Sequence, residues 1–286
     1  MQLTAERITA LAQQLSGWPL PRLHWLGAAL ARIAFVAMPR ERKRITENLQ
    51  AAGFTSRAVL RGTVAEHGKG LLELPALWLR SAAEVASLVR RVSGIEIVEA
   101  AEKAGKGIVY LTPHLGSFEV TAQWVSLRAP LTVLYRPPRR PELEPLMLAG
   151  RNKDGMATAT TDLKGVRILL RELRKGRAIG MLPDQVPSKG EGEWAEFFGR
   201  PAYTMTLATR LAESTGATII LTYAERLTHG AGFALQFEAM PARLATETEA
   251  RWVNRAMEDL IARCPSQYLW SYRRHKRPAG VERPTV

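Results

Sequence analysis

Residues 107–126 read Gly107-Ile-Val-Tyr-Leu-Thr-Pro-His114-Leu-Gly-Ser-Phe-Glu119-Val-Thr-Ala-Gln-Trp-Val-Ser126. Gly107 to Leu111 is a short apolar run bounded by turn residues, which predicts a strand buried on both faces. Glu119–Ser126 carries helical spacing, so the stretch predicts strand, loop and helix in succession. Three more apolar runs of the same kind occur at Leu131–Tyr135, Ala178–Leu182 and Thr218–Tyr223. Helical segments at Glu99–Lys106, Thr161–Arg174 and Thr204–Ser214 fall between or beside them. Strands alternating with helices predict an α/β fold with a largely parallel sheet flanked by helices. Phe233–Met240 adds an edge strand, and Glu247–Arg263 a late helix.

Toward the N-terminus the pattern changes. Residues 1–90 read as helices, with Glu41–Ala52 and Val59–Arg80 carrying apolar residues at helical spacing. The expected organisation is a helical region over 1–90 and an α/β core over 91–286, joined in one continuous domain. Met1–Gly17 lacks the basic start and apolar run of a cleavable signal. The apolar stretch Trp18–Met38 is interrupted by Arg22, His24 and Arg32. It falls short of the roughly 18–20 apolar residues that span a bilayer. Trp18 and Trp25 suit a membrane interface, and Arg40, Arg42, Lys43 and Arg44 follow directly. The N-terminal helical region is therefore expected to associate with an anionic membrane surface. A core helix followed by a solvated basic one fits the same residues.

The composition sets the limits. The chain has 286 residues, 46% hydrophobic and 23% charged, which excludes a disordered chain. Forty Lys and Arg against 27 Asp and Glu give a formal charge of +13, which favours acidic partners. The single cysteine, Cys264, excludes an intrachain disulfide and a Cys-rich zinc site. In Thr161–Arg174 the residues Lys164, Arg167, Arg171 and Arg174 share a side, either a solvated face or an anion-facing one.

No phosphate loop, dinucleotide fingerprint or serine-nucleophile elbow is present, and no two histidines are spaced for a metal. What remains is His114 and Glu119, a His-x4-Glu pair. With five histidines and about one residue in ten acidic, this spacing alone is a weak signal. Its position strengthens it, because ligands in open α/β sheets bind at the carboxyl ends of strands. Ser117 is placed to cap the helix, and Glu119 falls in its first turn. The expected chemistry is general-base catalysis: His114 takes a proton from an attacking hydroxyl while Glu119 orients the ring. A core histidine bonded to a local acid is the competing reading.

The His-x4-Glu segment resembles the active-site block of the bacterial lipid A biosynthesis acyltransferases of the late, lauroyl/myristoyl type. The likeness extends over most of the chain. Arg40, Arg44, Asn48 and Leu49 resemble an N-terminal block; Tyr135-Arg136-Pro137 and Arg151-Asn152 resemble the next. Leu182-Pro-Asp184-Gln185 and Phe197-Phe-Gly-Arg200-Pro-Ala-Tyr-Thr204 resemble the third, which departs from several members at Val186. Pro265-Ser-Gln-Tyr-Leu-Trp270-Ser-Tyr-Arg-Arg274 resembles the C-terminal block.

The resemblance implies an O-acyltransferase that moves a fatty acyl chain from acyl-acyl carrier protein to a hydroxyl of a lipid A precursor. No dissociable cofactor or metal is implied. The implied partners are acyl carrier protein, a glycolipid acceptor and the anionic inner-membrane surface at its cytoplasmic face, held peripherally or by a single N-terminal anchor, with no nucleic acid. Besides His114 and Glu119, it points to Arg136 and Arg151 for phosphate or developing negative charge, and to Asp184 and Arg200 as further substrate-binding candidates. Acceptors among other glycolipids, amino-acid lipids or glycerophospholipids stay open. So does a basic membrane-binding protein without catalysis.

Overall fold

A computed structural model describes residues 5–138 and 140–284 of the chain. Five helices come first: α1 (Ala5–Ser16), α2 (Leu20–Ala37), α3 (Pro39–Ala51), α4 (Arg57–Leu79) and α5 (Ala82–Ala86). After β1 (Val89–Ser93) come α6 (Ile95–Ala104), β2 (Ile108–Leu111), α7 (Phe118–Ser126) and β3 (Leu131–Tyr135). Then follow α8 (Glu144–Arg151), β4 (Met156–Thr160), α9 (Leu163–Arg174) and β5 (Ala178–Met181). The chain ends through β6 (Gly192–Phe197), β7 (Arg200–Met205), α10 (Leu207–Thr215), β8 (Thr218–Arg226), β9 (Phe233–Ala239) and α11 (Glu249–Arg263).

Seven strands form one sheet in the order β1-β9-β8-β2-β5-β3-β4. Neighbouring strands are parallel except β8 and β9. A separate antiparallel hairpin joins β6 to β7. The α/β class and the largely parallel, helix-flanked sheet are those the apolar runs predict. Alternate residues of β2 serve opposite layers. Val109 and Leu111 pack in a core with Leu49, Leu169, Leu173, Leu211 and Met257. Ile108 and Tyr110 pack in a second core with Leu77, Val98, Val120 and Val125. Burial on both faces explains why the strand has no polar alternation, and each such large apolar side chain contributes roughly 1.5–3 kcal/mol.

Two sequence expectations are corrected, and four strands had no signal in the sequence. The Phe233 strand is not an edge, because β1 pairs along its outer side from Val89 to Ser93. The helix expected from Thr204 starts at Leu207, since Thr204 and Met205 complete β7 opposite Glu193 and Gly192. The strands β1, β4, β6 and β7 carry no long apolar run. They lie at a sheet edge or in the hairpin, and their partly exposed residues need not be apolar.

The helical region packs onto this frame. Leu20, Leu77 and Val85 enter the same core as β2 and β3. Helices α2 and α4 meet at Gly27 and Gly68, where an added Cβ would fall 2.3 and 1.9 Å from the facing carbonyl oxygen. Only hydrogen fits there. No helix among the described residues is long and apolar enough to cross a membrane. Helix α2 nonetheless turns large apolar side chains outward: Trp25 is 73% exposed, Ile33 67% and Val36 71%.

Candidate active site

His114 lies three residues past the end of β2 and Asp184 three residues past the end of β5, on neighbouring parallel strands. Beyond the strands the ladder continues for one bond, Thr112 N–H to the Met181 carbonyl at 3.2 Å. Pro113 lacks an N–H, and the chain turns away. The turn brings the His114 side chain onto Asp184. The His114 backbone N–H donates to Asp184 Oδ2 at 2.9 Å, and ring Nδ1 lies 2.8 Å from Asp184 Oδ1. A carboxylate only accepts, so Nδ1 carries the proton and Nε2 is left as the basic nitrogen. The Gln185 amide Nε2 sits 3.0 Å from it and donates its N–H there.

Asp184 is buried, which by itself raises its pKa. The adjacent His114 and its two hydrogen bonds outweigh burial and hold the carboxyl below the usual carboxylate range. Tyr268, edge-on to Trp270 at 4.8 Å, is pushed well above the usual phenol range by burial and by the charge of Asp184 and its bond to it. It is therefore a neutral donor to that carboxylate.

Glu119 is elsewhere engaged. It is buried in the first turn of α7, and its carboxylate accepts from Arg151, the last residue of α8, through Nε at 3.0 Å and through Nη2. The ring partner of His114 is thus Asp184, where the sequence spacing pointed to Glu119. A five-residue separation across a loop and a helix start does not bring the two side chains together, while strand register does. Ser117 differs from expectation too. It makes no cap hydrogen bond; its hydroxyl donates to Glu73 Oε1 at 2.7 Å, because a buried carboxylate is the stronger acceptor.

That Glu73 anchors the loop. It accepts from Arg226 through Nε at 2.9 Å and Nη2 at 2.7 Å, and pairs with His24 Nε2 at 2.8 Å. Arg226 also donates to the Gly116 carbonyl at 2.9 Å. Gly116 itself has φ +58° and lies against β8, where a Cβ would be 2.0 Å from the Ala224 oxygen. Burial raises the Glu73 pKa, but Arg226 and His24 overcome it and bring the group down to about 2. At the far side, Leu269 N–H donates to the His114 carbonyl at 3.0 Å. Asn48 holds the same C-terminal segment through the Trp270 carbonyl at 2.8 Å, and Arg44 through the Ser271 carbonyl at 3.3 Å.

Three cavities converge on Phe118, whose ring meets that of His114 edge-on at 5.2 Å. The first is a narrow apolar crevice between α7 and the sheet, of about 40 Å³, lined by Val125, Leu131, Val133, Met156 and Gly180 and by the paired Glu119 and Arg151. The second is a chamber of about 210 Å³ lined by His114, Gln185, Arg136 and Arg151. Arg151 Nη1 makes no hydrogen bond among the described residues and is available to a ligand there. The third is a chamber of about 280 Å³ on the other side of His114, walled by α4.

Of the residues expected from sequence, His114, Asp184, Glu119, Arg151 and Arg136 come together here. Arg200 does not; it is exposed at the start of β7 and lines a separate small cleft with Trp270 and His275. Gln185, Phe118, Glu73 and Arg226 were missed as site residues. The signal for two of them was present: an acid inside the apolar run Leu71-Leu-Glu73-Leu, and an arginine at the end of an apolar strand. No cluster of three or more His, Cys, Asp or Glu side chains placed to hold a metal occurs among the described residues.

Comparison with known proteins gives consistent matches. The sequence profile described as bacterial lipid A biosynthesis acyltransferase matches residues 9–277. The chain is 28% identical to the lipid A biosynthesis lauroyltransferase of Escherichia coli (strain K12) over 273 residues, 92% of this chain and 88% of that protein. It is 26% identical to the lipid A biosynthesis palmitoleoyltransferase of the same organism over 274 residues, with the same shares. A shorter match, 25% over 185 residues, joins it to the phosphatidylinositol mannoside acyltransferase of Mycobacterium tuberculosis (strain CDC 1551 / Oshkosh), covering 61% of this chain and 55% of that one.

Proposed function

Because the chain belongs to the bacterial lipid A biosynthesis acyltransferase family, we propose that it transfers a fatty acyl group from acyl-acyl carrier protein to a hydroxyl of a lipid A precursor. The observation that carries this reading is the His114–Asp184 pair, with His114 lining two of the three cavities that meet at its neighbour Phe118. A two-substrate acyl transfer needs one basic nitrogen reachable from a slot for the chain, an approach for the donor and an approach for the acceptor.

The acceptor hydroxyl replaces Gln185 at His114 Nε2 and gives up its proton there as its oxygen attacks the thioester carbon. Asp184 holds the Nδ1–H tautomer and stabilises the imidazolium that forms. The tetrahedral intermediate collapses to the ester. The thiolate leaves with the two electrons of the C–S bond and takes the proton back from His114 Nε2. Arg151, fixed by Glu119, presents Nη1 to the negative charge that develops on the carbonyl oxygen or to a donor phosphate, and Arg136 stands at the rim of the same chamber. The apolar crevice behind the Glu119–Arg151 pair takes the acyl chain. The +13 charge suits an acidic carrier and a phosphorylated lipid. The chain works at the cytoplasmic face of the inner membrane, lying on it through the apolar face of α2 and the basic start of α3.

The test is direct. Purified protein is incubated with acyl-acyl carrier protein and a lipid A precursor, and in parallel with a glycerophospholipid or a mannosylated lipid. The reading expects one added acyl chain on the lipid A precursor by mass spectrometry, abolished in His114→Ala. Acylation of only another lipid, or activity that survives His114→Ala, refutes it.

A further inference from the structure

Helix α9 carries a charge pattern that neither the fold nor the reaction above uses. Its inner side is core: Leu169 and Leu173 are buried among Val109, Leu111 and Ile179. Its outer side presents Lys164, Arg167, Arg171 and Arg174, all exposed. They follow one another at steps of three, four and three residues, so each is the helix-face neighbour of the next. Like charges at these spacings destabilise a helix. The dipole adds to this at the start, where Lys164 stands in the first turn and no acid does.

The chain leaves the row without neutralising charge. Glu172 is the one acid within the helix, and it is taken by Lys175 at 3.0 Å and Arg177 at 2.8 Å, both past the row. Arg171 stays 3.6 Å from it. Asp162, which lies near Lys164, accepts from the Gly165 N–H and the Thr160 hydroxyl as the N-cap. Arg167 and Arg174 make no ion pair among the described residues.

Position gives the row a use. Thr161, just past the carboxyl end of β4, lines the same chamber as His114, Gln185, Arg136 and Arg151. The row starts three residues beyond Thr161 and runs for about 15 Å along the helix, away from the carboxyl edge of the sheet. Leu163, 76% exposed, offers an apolar contact at the end nearest the chamber. Helix α9 covers the Val109–Leu111 face of the sheet, while α2 packs through Leu20 on the Ile108–Tyr110 face. A membrane against α2 therefore leaves the row to a soluble partner.

We propose that the outer face of α9 docks the acyl carrier protein, with acidic side chains of the carrier meeting Lys164, Arg167, Arg171 and Arg174 while its acyl arm enters the chamber beside Thr161; this rests on the acyltransferase reading above. The thioester then arrives at His114 in the chamber that Gln185 also lines, so donor carbon and acceptor hydroxyl meet at one place. The free protein carries the repulsion along the row, and the carrier relieves it on binding. Association of this kind is steered by charge and weakens with salt.

The experiment compares two donors bearing the same acyl group: dodecanoyl-acyl carrier protein, and dodecanoyl-phosphopantetheine, which has the arm and no protein. The kcat/KM for each is measured at low and high salt, with a lipid A precursor as acceptor, for the full-length wild type and for Arg167→Glu combined with Arg174→Glu. For the carrier donor the variant is expected to lose on the order of 30-fold at low salt, mostly in KM, and much less at high salt. For the arm alone it is expected to stay within about twofold of wild type, because no carrier surface is involved. Arg167→Gln combined with Arg174→Gln is expected to lose on the order of fivefold in the same pattern, and it decides the matter if the charge-reversed protein does not fold. Equal losses with both donors, or no loss with the carrier, overturn the docking assignment alone. Weakened binding of the variants to anionic vesicles with carrier kinetics unchanged also overturns it and gives the row to lipid headgroups. A wild type that uses the arm alone as well as the carrier, or that uses neither, overturns the donor reading itself.

Discussion

His114 and Asp184 occupy equivalent positions on neighbouring strands, each three residues past one member of the register pair Leu111–Met181. The parallel register sets their 2.8 Å contact, and the backbone N–H of His114 doubles it. In the doubly wound part of the sheet β2 and β5 are adjacent although 70 residues separate His114 from Asp184, with β3 and β4 formed between them in sequence. This is the crevice at which such sheets bind ligands.

Asp184→Asn keeps the shape of the site but offers Nδ1 an amide in place of a carboxylate. We expect kcat to fall on the order of 10³-fold with KM little changed, because the tautomer and the imidazolium both lose support. Steady-state kinetics of the folded variant check it; a kcat within fivefold of wild type removes Asp184 from the mechanism.

Glu119→Gln is expected to behave differently. It leaves the buried Arg151 without its counter-charge, so the protein loses about 2–4 kcal/mol in urea unfolding and the donor KM rises. The fall in kcat stays well short of that in Asp184→Asn, since the carboxylate beside the His114 ring is intact. A Glu119→Gln kcat as low as that of Asp184→Asn would mean that Glu119 supports the ring as directly as Asp184 does.

The Glu73 network makes stability pH-dependent with a definite sign. Its folded pKa, about 2, lies below the ordinary 4.5, so the folded state holds the charged form more tightly. The contribution, about 3 kcal/mol, is present above pH 4.5 and is lost as pH falls through that value toward 2. Urea unfolding of wild type and Glu73→Gln should therefore differ most near pH 6 and converge toward pH 2. A difference that is constant with pH would show that the carboxylate is not held charged.

Half of this site could be read from the chain. The strands β2, β3, β5 and β8 stood out because burial on both faces leaves them without polar residues. The loop after β2 stood out because histidine and acid follow such a strand. What could not be read is which acid the ring meets. Glu119 is near in sequence, but its helix turns it toward Arg151; Asp184 is far in sequence, and only the order β2-β5 puts it in reach. Likewise the N-terminal and C-terminal blocks look like separate motifs. In the fold Asn48 and Arg44 bind the carbonyls of Trp270 and Ser271, so the two blocks form one clamp. The edge strand β1, Val-Arg-Arg-Val-Ser, was not recognised because its exposed arginines resemble those of a surface helix.

Gly180 faces the apolar crevice from β5, and a Cβ there would stand 3.1 Å from Val133 Cγ1. Gly180→Val should shorten the slot, shifting the preferred acyl chain down by two or more carbons at a stability cost of about 1–3 kcal/mol. Competition between acyl donors of different length, read by mass spectrometry of the product, decides it. An unchanged preference would place the chain elsewhere.

The proposed membrane association puts the outward face of α2 against the lipid. Trp25, Ile33 and Val36 are each about 1.5–3 kcal/mol when buried in an apolar phase, so together they outweigh the basic residues after them. Lys43 is paired with Glu47 and Arg44 with Glu41. Arg40 and Arg42 are left for anionic headgroups, about 1 kcal/mol each. Replacing the three apolar residues with Ser should reduce partition into anionic vesicles by at least 100-fold at any salt concentration. Arg40→Gln with Arg42→Gln should reduce it by about 30-fold at low salt only, leaving binding to zwitterionic vesicles intact, because charge attraction is screened and apolar burial is not. Sedimentation of the protein with vesicles measures both. If the Ser variant sediments like the wild type, α2 is not the membrane face, and the apolar residues it exposes must be covered by something else.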